Sequence, residues 1–219
     1  MKHATLMARL YNAPLMCQAN YVQTVAQVLQ DRAGDVVSEK PSMERREPRN
    51  AHLDDDGILT IPIVGGLWHR GDEVDAMSGA QNYTNLNNQL AVALSDRDVK
   101  GILFDIDSPG GEATGCFSFA RSVKEASQHK PIWCISNGGA FSAAYALGSA
   151  CERFHCAEDS EVGSIGVVLL HMDYSKHLDQ QGIAATYVYA GDHKVDGNPL
   201  EPLAPSVRAE LQSGIDKRY

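Results

Sequence analysis

The chain has 219 residues, enough for one well-packed domain with an extension, and its 43% hydrophobic and 21% charged residues are typical of a globular protein. The formal net charge of −9 argues against a non-specific nucleic-acid binder, which would carry an excess of basic residues. No run is apolar for long enough to span a bilayer as a helix, and the interrupted apolar pattern near the N-terminus predicts no signal peptide. Five scattered cysteines predict reduced, mostly buried thiols in a cytoplasmic protein rather than a disulfide framework.

Residues 1–51 are interpreted as an N-terminal extension with a short helix and a polar linker. Asn20 is a candidate cap for a helix that places four apolar residues on one face: Tyr21, Val25, Val28 and Leu29. From Gly34 to about Asp56 the chain is rich in charge and has no apolar period, which is typical of a linker. We therefore expect the main domain to comprise residues 52–219.

Strands and helices alternate along the main domain. Apolar runs and turn signals predict strands over residues 57–65, 99–106, 131–136, 153–156, 165–170 and 185–189. Apolar residues at helical spacing predict helices over residues 78–95, 114–127, 174–181 and 205–219, besides a short one that opens at Ser142. Pro62 suggests an edge position or a bulge, and the near-continuous apolar run at 99–106 is typical of a buried parallel strand. This order predicts an α/β domain with a mainly parallel sheet.

The segment 137–147 contains a candidate nucleophile. A short apolar strand leads into two glycines, and Ser142 then opens a segment of small residues that is typical of a buried helix. Glycines allow positive φ in a tight turn, and a helix N-terminus offers free backbone N–H groups to an oxyanion. The simpler alternative is that Ser142 only caps the helix, which is a common role for serine.

A serine nucleophile needs a base, because the free hydroxyl is a poor nucleophile at neutral pH. No histidine of the chain comes with an acidic partner in a recognisable motif, and Ser142 lacks the Gly-x-Ser-x-Gly elbow of α/β-hydrolases. Lysine can serve as a base when burial favours its neutral form. Lys194 is the candidate, because it lies in a loop directly after an apolar strand, although an ordinary exposed lysine fits that spacing as well.

Four motifs occur in a fixed order along the chain. They are Asp-Ser-Pro-Gly-Gly at 107–111, Phe-Ser-Ala-Ala-Tyr at 141–145, Val-Gly-Ser-Ile-Gly-Val at 162–167 and the loop at 191–199. Together they resemble the signal peptide peptidase A family of serine peptidases. The resemblance is greatest to its phage branch, the capsid (head-maturation) proteases of the phage lambda C type, and it runs from about Gly57 to Leu211.

The resemblance implies a Clp-protease/crotonase-like fold, which is a spiral of β-β-α units, and a Ser-Lys dyad. By motif, Ser142 resembles the nucleophile and Lys194 the general base. Ser164 resembles the further serine that hydrogen-bonds the lysine in the family. A lysine base predicts that activity falls as the pH falls and the lysine becomes protonated. The resemblance implies no metal and no cofactor.

The developing oxyanion needs preorganised N–H donors. By resemblance these are the backbone amides of Gly111 and Ala143, with Gly110 letting the turn approach closely. The glycine pair also fits a plain turn, and Ser164 fits a serine that satisfies local backbone groups. Two possible cation sites are set aside: the cysteines around His155 lack a second ligand pair, and the acidic run at 54–56 fits a solvated linker.

The resemblance also implies a polypeptide substrate, such as capsid scaffold or portal-associated protein, and a homo-oligomer in the cytoplasm or in a phage procapsid. Neither nucleic acid nor a membrane anchor is expected. Family members continue beyond the lysine loop, so we expect a domain that is truncated at its C-terminus. Two alternatives stay open: an inactive assembly component, which the early stop favours, and a crotonase-like acyl-CoA enzyme, whose fold also builds an oxyanion hole.

Overall fold

In the computed structural model, the described residues are 10–34, 50–70 and 81–219, with the backbone alone for 29–34. The strands in this part of the chain are β1 (Leu15–Cys17), β2 (His52–Leu53), β3 (Ile58–Val64), β4 (Leu67–Trp68), β5 (Gln81–Asn82), β6 (Gly101–Ser108), β7 (Gly110–Glu112), β8 (Ile132–Phe141), β9 (Arg153–Cys156) and β10 (Glu161–Gly163). The helices are α1 (Ala19–Gly34), α2 (Tyr83–Ser95), α3 (Cys116–Ala126), α4 (Ala143–Ala150), α5 (Ser175–Gln180) and α6 (Pro205–Asp216).

The larger of two sheets is almost entirely parallel. Its strand order is β10-β8-β6-β3-β2, and β9 also pairs with β8. Only β2 runs antiparallel to its neighbour, β3. Phe104 lies at the centre of this sheet between Ile61 and Cys134, and all three side chains are fully buried. Burial of the sheet on both faces explains why β6 is almost continuously apolar in the sequence.

The smaller sheet has the order β1-β7-β4-β5, and successive units of the chain alternate between the two sheets. In one unit β3 lies in the larger sheet, β4 lies in the smaller sheet, and α2 follows. The next unit repeats this order with β6, β7 and α3. These two repeats form the spiral of β-β-α units that the resemblance implied. The α/β fold with a mainly parallel sheet is confirmed.

Helices α2 and α3 cover the sheets with faces that the sequence predicted. In α3 the buried positions recur every three or four residues, which is the period of one helix face: Cys116, Phe119, Ala120, Val123 and Ala126. In α2 the predicted positions Tyr83, Leu86 and Leu90 are buried. The helix begins later than predicted, because Asn82 caps it by accepting a hydrogen bond from the Asn85 N–H, while residues 78–80 lie outside the described part.

Pro62 lies where β3 forms the edge of its sheet, as predicted. Strand β2 pairs only with Leu59 and Thr60, so the outer edge of β3 is without a strand partner beyond them. The side-chain amide of Gln81 takes that place: it accepts from the Val64 N–H at 2.9 Å and donates to the Pro62 carbonyl at 2.9 Å. A proline is tolerated here because no ladder bond needs its missing N–H.

Two predicted strands were wrong. Residues 165–170 form only isolated bridges, at Val168 and Leu170, and residues 185–189 form no strand, with Val188 98% exposed. Both segments are apolar enough to suggest strands. A strand, however, also needs a partner that runs alongside it, and among residues 10–34, 50–70 and 81–219 these segments have none along their length.

The N-terminal helix forms, but its buried face differs from the prediction. Val22 and Ala26 are buried, whereas Tyr21 and Val28 are exposed. Val22 and Ala26 form a second small apolar cluster with Leu10, Leu15 and Cys17, separate from the main core. The interpretation of residues 1–51 as a separate extension stays a prediction, and much of the linker (35–49) lies outside the described residues.

Candidate active site

Ser142 lies at the junction between β8 and α4. Strand β8 continues to Phe141, five residues beyond its predicted end, because residues 139–141 pair with β10. The two glycines before Ser142 are therefore part of the strand and do not form the predicted turn. The turn is made by Ser142 itself, with φ 52° and ψ −109°, a conformation that costs a non-glycine residue free energy.

The loop after β10 holds Ser142 from one side. The Ser142 N–H donates to the Gly163 carbonyl at 2.8 Å, and its Oγ donates to the Gly166 carbonyl at 3.3 Å. Ser142 is only 2% exposed and does not cap α4 with its side chain. The alternative of a plain N-cap is therefore not what the structure shows. The hydroxyl instead faces the Gly-Ser-Ile-Gly motif that the sequence singled out.

The Pro-Gly-Gly turn lies against the same junction. Gly110 has φ 95°, and a methyl group on its Cα would lie 2.9 Å from the Phe141 carbonyl oxygen and 3.2 Å from the Ala143 nitrogen. At Gly111 a methyl group would lie 1.8 Å from the Leu67 carbonyl oxygen. Only glycine fits at these two places, as the resemblance implied for Gly110. The Ala143 N–H belongs to the first turn of α4, which has no partner within the helix.

Ser108 organises this turn, and sequence reasoning missed it. Its Oγ donates to the Gly65 carbonyl at 2.6 Å and accepts from the Gly110 N–H at 3.2 Å. The hydroxyl thereby joins β6 to the segment between β3 and β4 and sets the start of β7. The signal was present in the sequence, since a serine two residues before a glycine commonly stabilises a turn through its side chain.

Ser164 and Lys194 lie in exposed loops. Ser164 follows β10 with φ 51°, between the two glycines whose carbonyls contact Ser142. Lys194 is exposed, and its N–H donates to the Gly191 carbonyl at 3.1 Å. Within the described residues, no hydrogen bond joins the Lys194 side chain to Ser142 or Ser164. The roles predicted for Ser142, Lys194 and Ser164 stay predictions.

The lysine loop carries a charged pair of its own. His193 Nδ1 and Asp196 Oδ2 are 2.8 Å apart, and this hydrogen bond, together with the negative charge of the carboxylate, raises the pKa of His193. With Glu210 they are the only three His, Cys, Asp or Glu residues in the described ranges whose ligand atoms cluster within 4.8 Å. All three residues are exposed, and exposed acidic groups commonly lie close together without a bound metal ion.

Comparison with known proteins indicates the family that the chain resembles. Residues 124–219 match the model of peptidase family S49. Over these residues the chain is similar to a peptidase S49 domain. The sequence is 41% identical over 171 residues to the head-tail preconnector protein GP5 of Enterobacteria phage P21, which covers 78% of this chain and 34% of that protein. It is 39% identical over 160 residues to the capsid assembly protease C of Escherichia phage lambda, which covers 73% of this chain and 36% of that protein.

The resemblance that the four motifs indicated is thereby confirmed. The chain spans about a third of the length of these two relatives. Among solved structures, it is similar to the 1510-N membrane-bound stomatin-specific protease in complex with a substrate peptide, with a TM-score of 0.39, 16% identity, and coverage of 54% of this chain and 45% of that one. None of the described helices is both long and apolar enough to cross a membrane.

Proposed function

We propose that this chain is a serine endopeptidase in which Ser142 is the nucleophile and Lys194 the general base. The observation that carries the proposal is the strained backbone of Ser142 at a strand-to-helix junction. Such a turn presents a nucleophile beside the free N–H groups of a helix N-terminus, and it persists only where the surrounding structure enforces it. The peptidase S49 domain supplies the reaction class.

The reaction runs through an acyl-enzyme. Neutral Lys194 takes the proton of the Ser142 hydroxyl, and Oγ attacks the carbonyl carbon of the scissile bond. The N–H groups of Gly111 and Ala143 bind the oxyanion that forms. The ammonium of Lys194 then gives its proton to the leaving amine as the carbon–nitrogen bond breaks. Water hydrolyses the ester by the same steps, which releases the acid product and restores Ser142.

The dyad requires the lysine loop to approach Ser142. Ser164 is suited to guide this approach, because it lies between the glycines that contact Ser142 and its hydroxyl is exposed. We propose that Ser164 accepts a hydrogen bond from the Lys194 ammonium and holds it near Oγ. An inactive assembly component is the second candidate. It is favoured because Lys194 is exposed while Ser142 is buried, and because, within the described residues, no hydrogen bond joins their side chains.

The names of the relatives indicate the substrate class. We propose that residues 52–219 act on polypeptides of the capsid, such as scaffold or portal-associated protein, as part of a homo-oligomer in the cytoplasm or the procapsid. One relative is named a capsid assembly protease and the other a head-tail preconnector protein. A peptide would bind in extended form, by pairing with β7 on the side that β1 occupies in this structure.

Covalent labelling with a fluorophosphonate probe tests the dyad. We expect labelling of Ser142 whose rate rises with pH. Labelling should be absent in Ser142→Ala, which lacks the nucleophile, and its rate should fall by about three orders of magnitude or more in Lys194→Ala, because a serine without its base is a weak nucleophile. Ser149→Ala is the matched control, since Ser149 lies exposed on α4, and it should label like the parent. If neither the folded parent chain nor a folded variant in which residues 13–18 are displaced is labelled at any pH, the inactive assembly component is the correct answer.

A further inference from the structure

Strand β1 is inserted between two other segments, with bonds on both of its edges. On one edge the Leu15 N–H donates to the Val168 carbonyl and the Val168 N–H donates to the Leu15 carbonyl, both at 2.8 Å. On the other edge Leu15, Met16 and Cys17 pair antiparallel with β7. This is the arrangement of an extended peptide that has been added to a strand edge and then covered on its far side.

The pairing with β7 brings the carbonyl of Met16 to Gly111. The Ala113 N–H donates to the Pro14 carbonyl and the Gln18 N–H donates to the Pro109 carbonyl. Hydrogen-bonded pairs alternate along an antiparallel ladder, so the pair midway between these two, Met16 and Gly111, is also hydrogen-bonded. The Gly111 N–H, a predicted oxyanion donor, therefore already holds a peptide carbonyl.

That carbonyl lies beside the candidate nucleophile. A methyl group on Gly110 would be 2.2 Å from the Met16 carbonyl oxygen and 3.2 Å from the Ala143 nitrogen. The oxygen thus lies next to the second predicted oxyanion donor, at the junction that carries Ser142. A substrate carbonyl has to occupy this place. In this structure β1 occupies this place, and Ser142 is buried.

The side chains of the segment are anchored like those of a bound peptide. Met16 points into the main core, while its neighbours Leu15 and Cys17 point to the opposite side, into the small apolar cluster. Upstream, the Asn12 Nδ2 donates to the Gly197 carbonyl in the lysine loop at 3.0 Å. The segment therefore contacts both β7 and the loop that carries the proposed base.

We propose that the cleft between β7 and Val168 is the peptide-binding site of this chain, that it takes an extended apolar peptide, and that residues 13–18 occupy it as an internal inhibitor. Displacement of these residues would expose Ser142 and let the same cleft accept another peptide. The inference deepens the proposed function and rests on it where the inhibition of catalysis is concerned. Occupation of the cleft by a peptide does not depend on catalysis.

The test measures binding of a fluorescein-labelled peptide with the sequence of residues 12–18 by fluorescence anisotropy. All proteins are full-length and carry Ser142→Ala, so that no cleavage occurs. Adding Met16→Asp places a charge in the apolar core and should release the internal segment. We expect the released protein to bind the peptide at least about tenfold more tightly than the Ser142→Ala protein, whose site is occupied, because apparent affinity follows the fraction of open sites.

Two controls make the result specific. Met16→Leu keeps an apolar side chain of similar size and should bind the peptide as weakly as the Ser142→Ala protein. A peptide that itself carries Met16→Asp should bind neither protein. If Met16→Asp fails to fold, Asn12→Ala replaces it: it removes the contact to Gly197, places at a positive φ a residue that adopts this conformation only with strain, and should give a smaller gain in affinity.

A folded, released variant that binds the peptide no better than its Met16→Leu counterpart would overturn the inference. A separate arm with Ser142 intact measures fluorophosphonate labelling, whose rate should rise at least about tenfold in Met16→Asp, in proportion to the open fraction. Peptide binding without labelling would support the proposed peptide-binding cleft and contradict the catalytic proposal. If the Met16→Asp variant is labelled at the same rate as the parent and binds no peptide, the catalytic proposal stands, and β1 is an ordinary strand without an inhibitory role.

Discussion

Strained residues of the described chain gather around one place. Three non-glycine residues in the described ranges have positive φ: Asn12, Ser142 and Ser164. One is the candidate nucleophile, one lies in the loop that contacts it, and one anchors the segment proposed to cover it. Strain of this kind costs about 1–3 kcal/mol for each residue and persists where neighbouring structure enforces it. Its concentration here supports a functional site that was assembled at the expense of stability.

A pair of substitutions measures the strain at Ser142. Ser142→Ala and Ser142→Gly both lose the hydroxyl, but only glycine adopts the native φ of 52° without a clash of Cβ. We expect the glycine variant to have a free energy of unfolding about 1 kcal/mol higher than the alanine variant, measured by urea denaturation.

Ser149 supplies a control at which the stability difference between the glycine and alanine variants should have the opposite sign. It is an exposed residue of α4, so Ser149→Gly should be less stable than Ser149→Ala by about 1 kcal/mol or somewhat less near the helix end. Equal stability of the two Ser142 variants, with the expected difference at Ser149, would show that the turn is not strained.

At the scale of elements, β7 is the strand on which the site depends. It lies between β1 and β4, and Gly111 pairs with Met16 on one side and Leu67 on the other. Three backbone atoms of Leu67 lie within 2.6 Å of where a Cβ would be. Backbone atoms of a central strand cannot move aside as a flexible side chain can. Glycine at this position is therefore a requirement of the sheet, independently of the proposed oxyanion site.

Gly111→Ala should accordingly destabilise the protein by about 2 kcal/mol or more, by overpacking against the backbone of β4. Gly101→Ala is the matched control within a buried strand, because its new methyl group would meet only the end of the Ile58 side chain at 3.3 Å and the Pro131 carbonyl oxygen at 3.6 Å. Urea denaturation of both variants measures the difference. A cost at Gly111 no larger than at Gly101 would mean that β4 and β7 can move apart within their sheet at this position.

Much at this scale was predictable from the sequence, and the errors have physical causes. Helix α3 was predicted nearly to its ends because its buried face follows one clear period. The predicted end of β8 was wrong because the sequence alone does not distinguish a glycine that permits close packing within a strand from a glycine that makes a turn. A methyl group on Gly138 would lie 2.5 Å from the Asp107 carboxylate, so this glycine serves close packing inside the strand.

At the scale of the whole molecule, the sequence predicted the order of elements but not their partners. The alternation of strands and helices indicated an α/β fold, and four ordered motifs indicated the family. Nothing in the pattern of residues 13–18 indicated that they form a strand of the smaller sheet. Their neighbours there, at β7 and Val168, are about a hundred and about a hundred and fifty residues distant, and pairing at such separation leaves no local signal.

The reaction rates of the cysteine thiols measure whether the N-terminal segment opens independently of the main core. Burial raises the pKa of Cys17 and of Cys116 to about 12 each, and a hydrogen bond with Cys151, together with burial, raises the pKa of Cys134. These thiols therefore stay protonated at neutral pH until they are exposed. Cys156 is exposed, whereas Cys151 is buried with the main core. An aromatic disulfide reagent at pH 8 should therefore react at once with Cys156 and much more slowly with the others.

The order of the slow reactions is the prediction. Cys17 belongs to the small cluster of β1 and α1, so it should react through local release of that segment, at least about tenfold faster than the three thiols of the main core, which require global unfolding. Peptide mapping after timed labelling assigns each rate, and Met16→Asp should accelerate Cys17 alone. Reaction of Cys17 together with the core thiols would mean that β1 opens only when the whole protein unfolds, and that the segment cannot act as a releasable inhibitor.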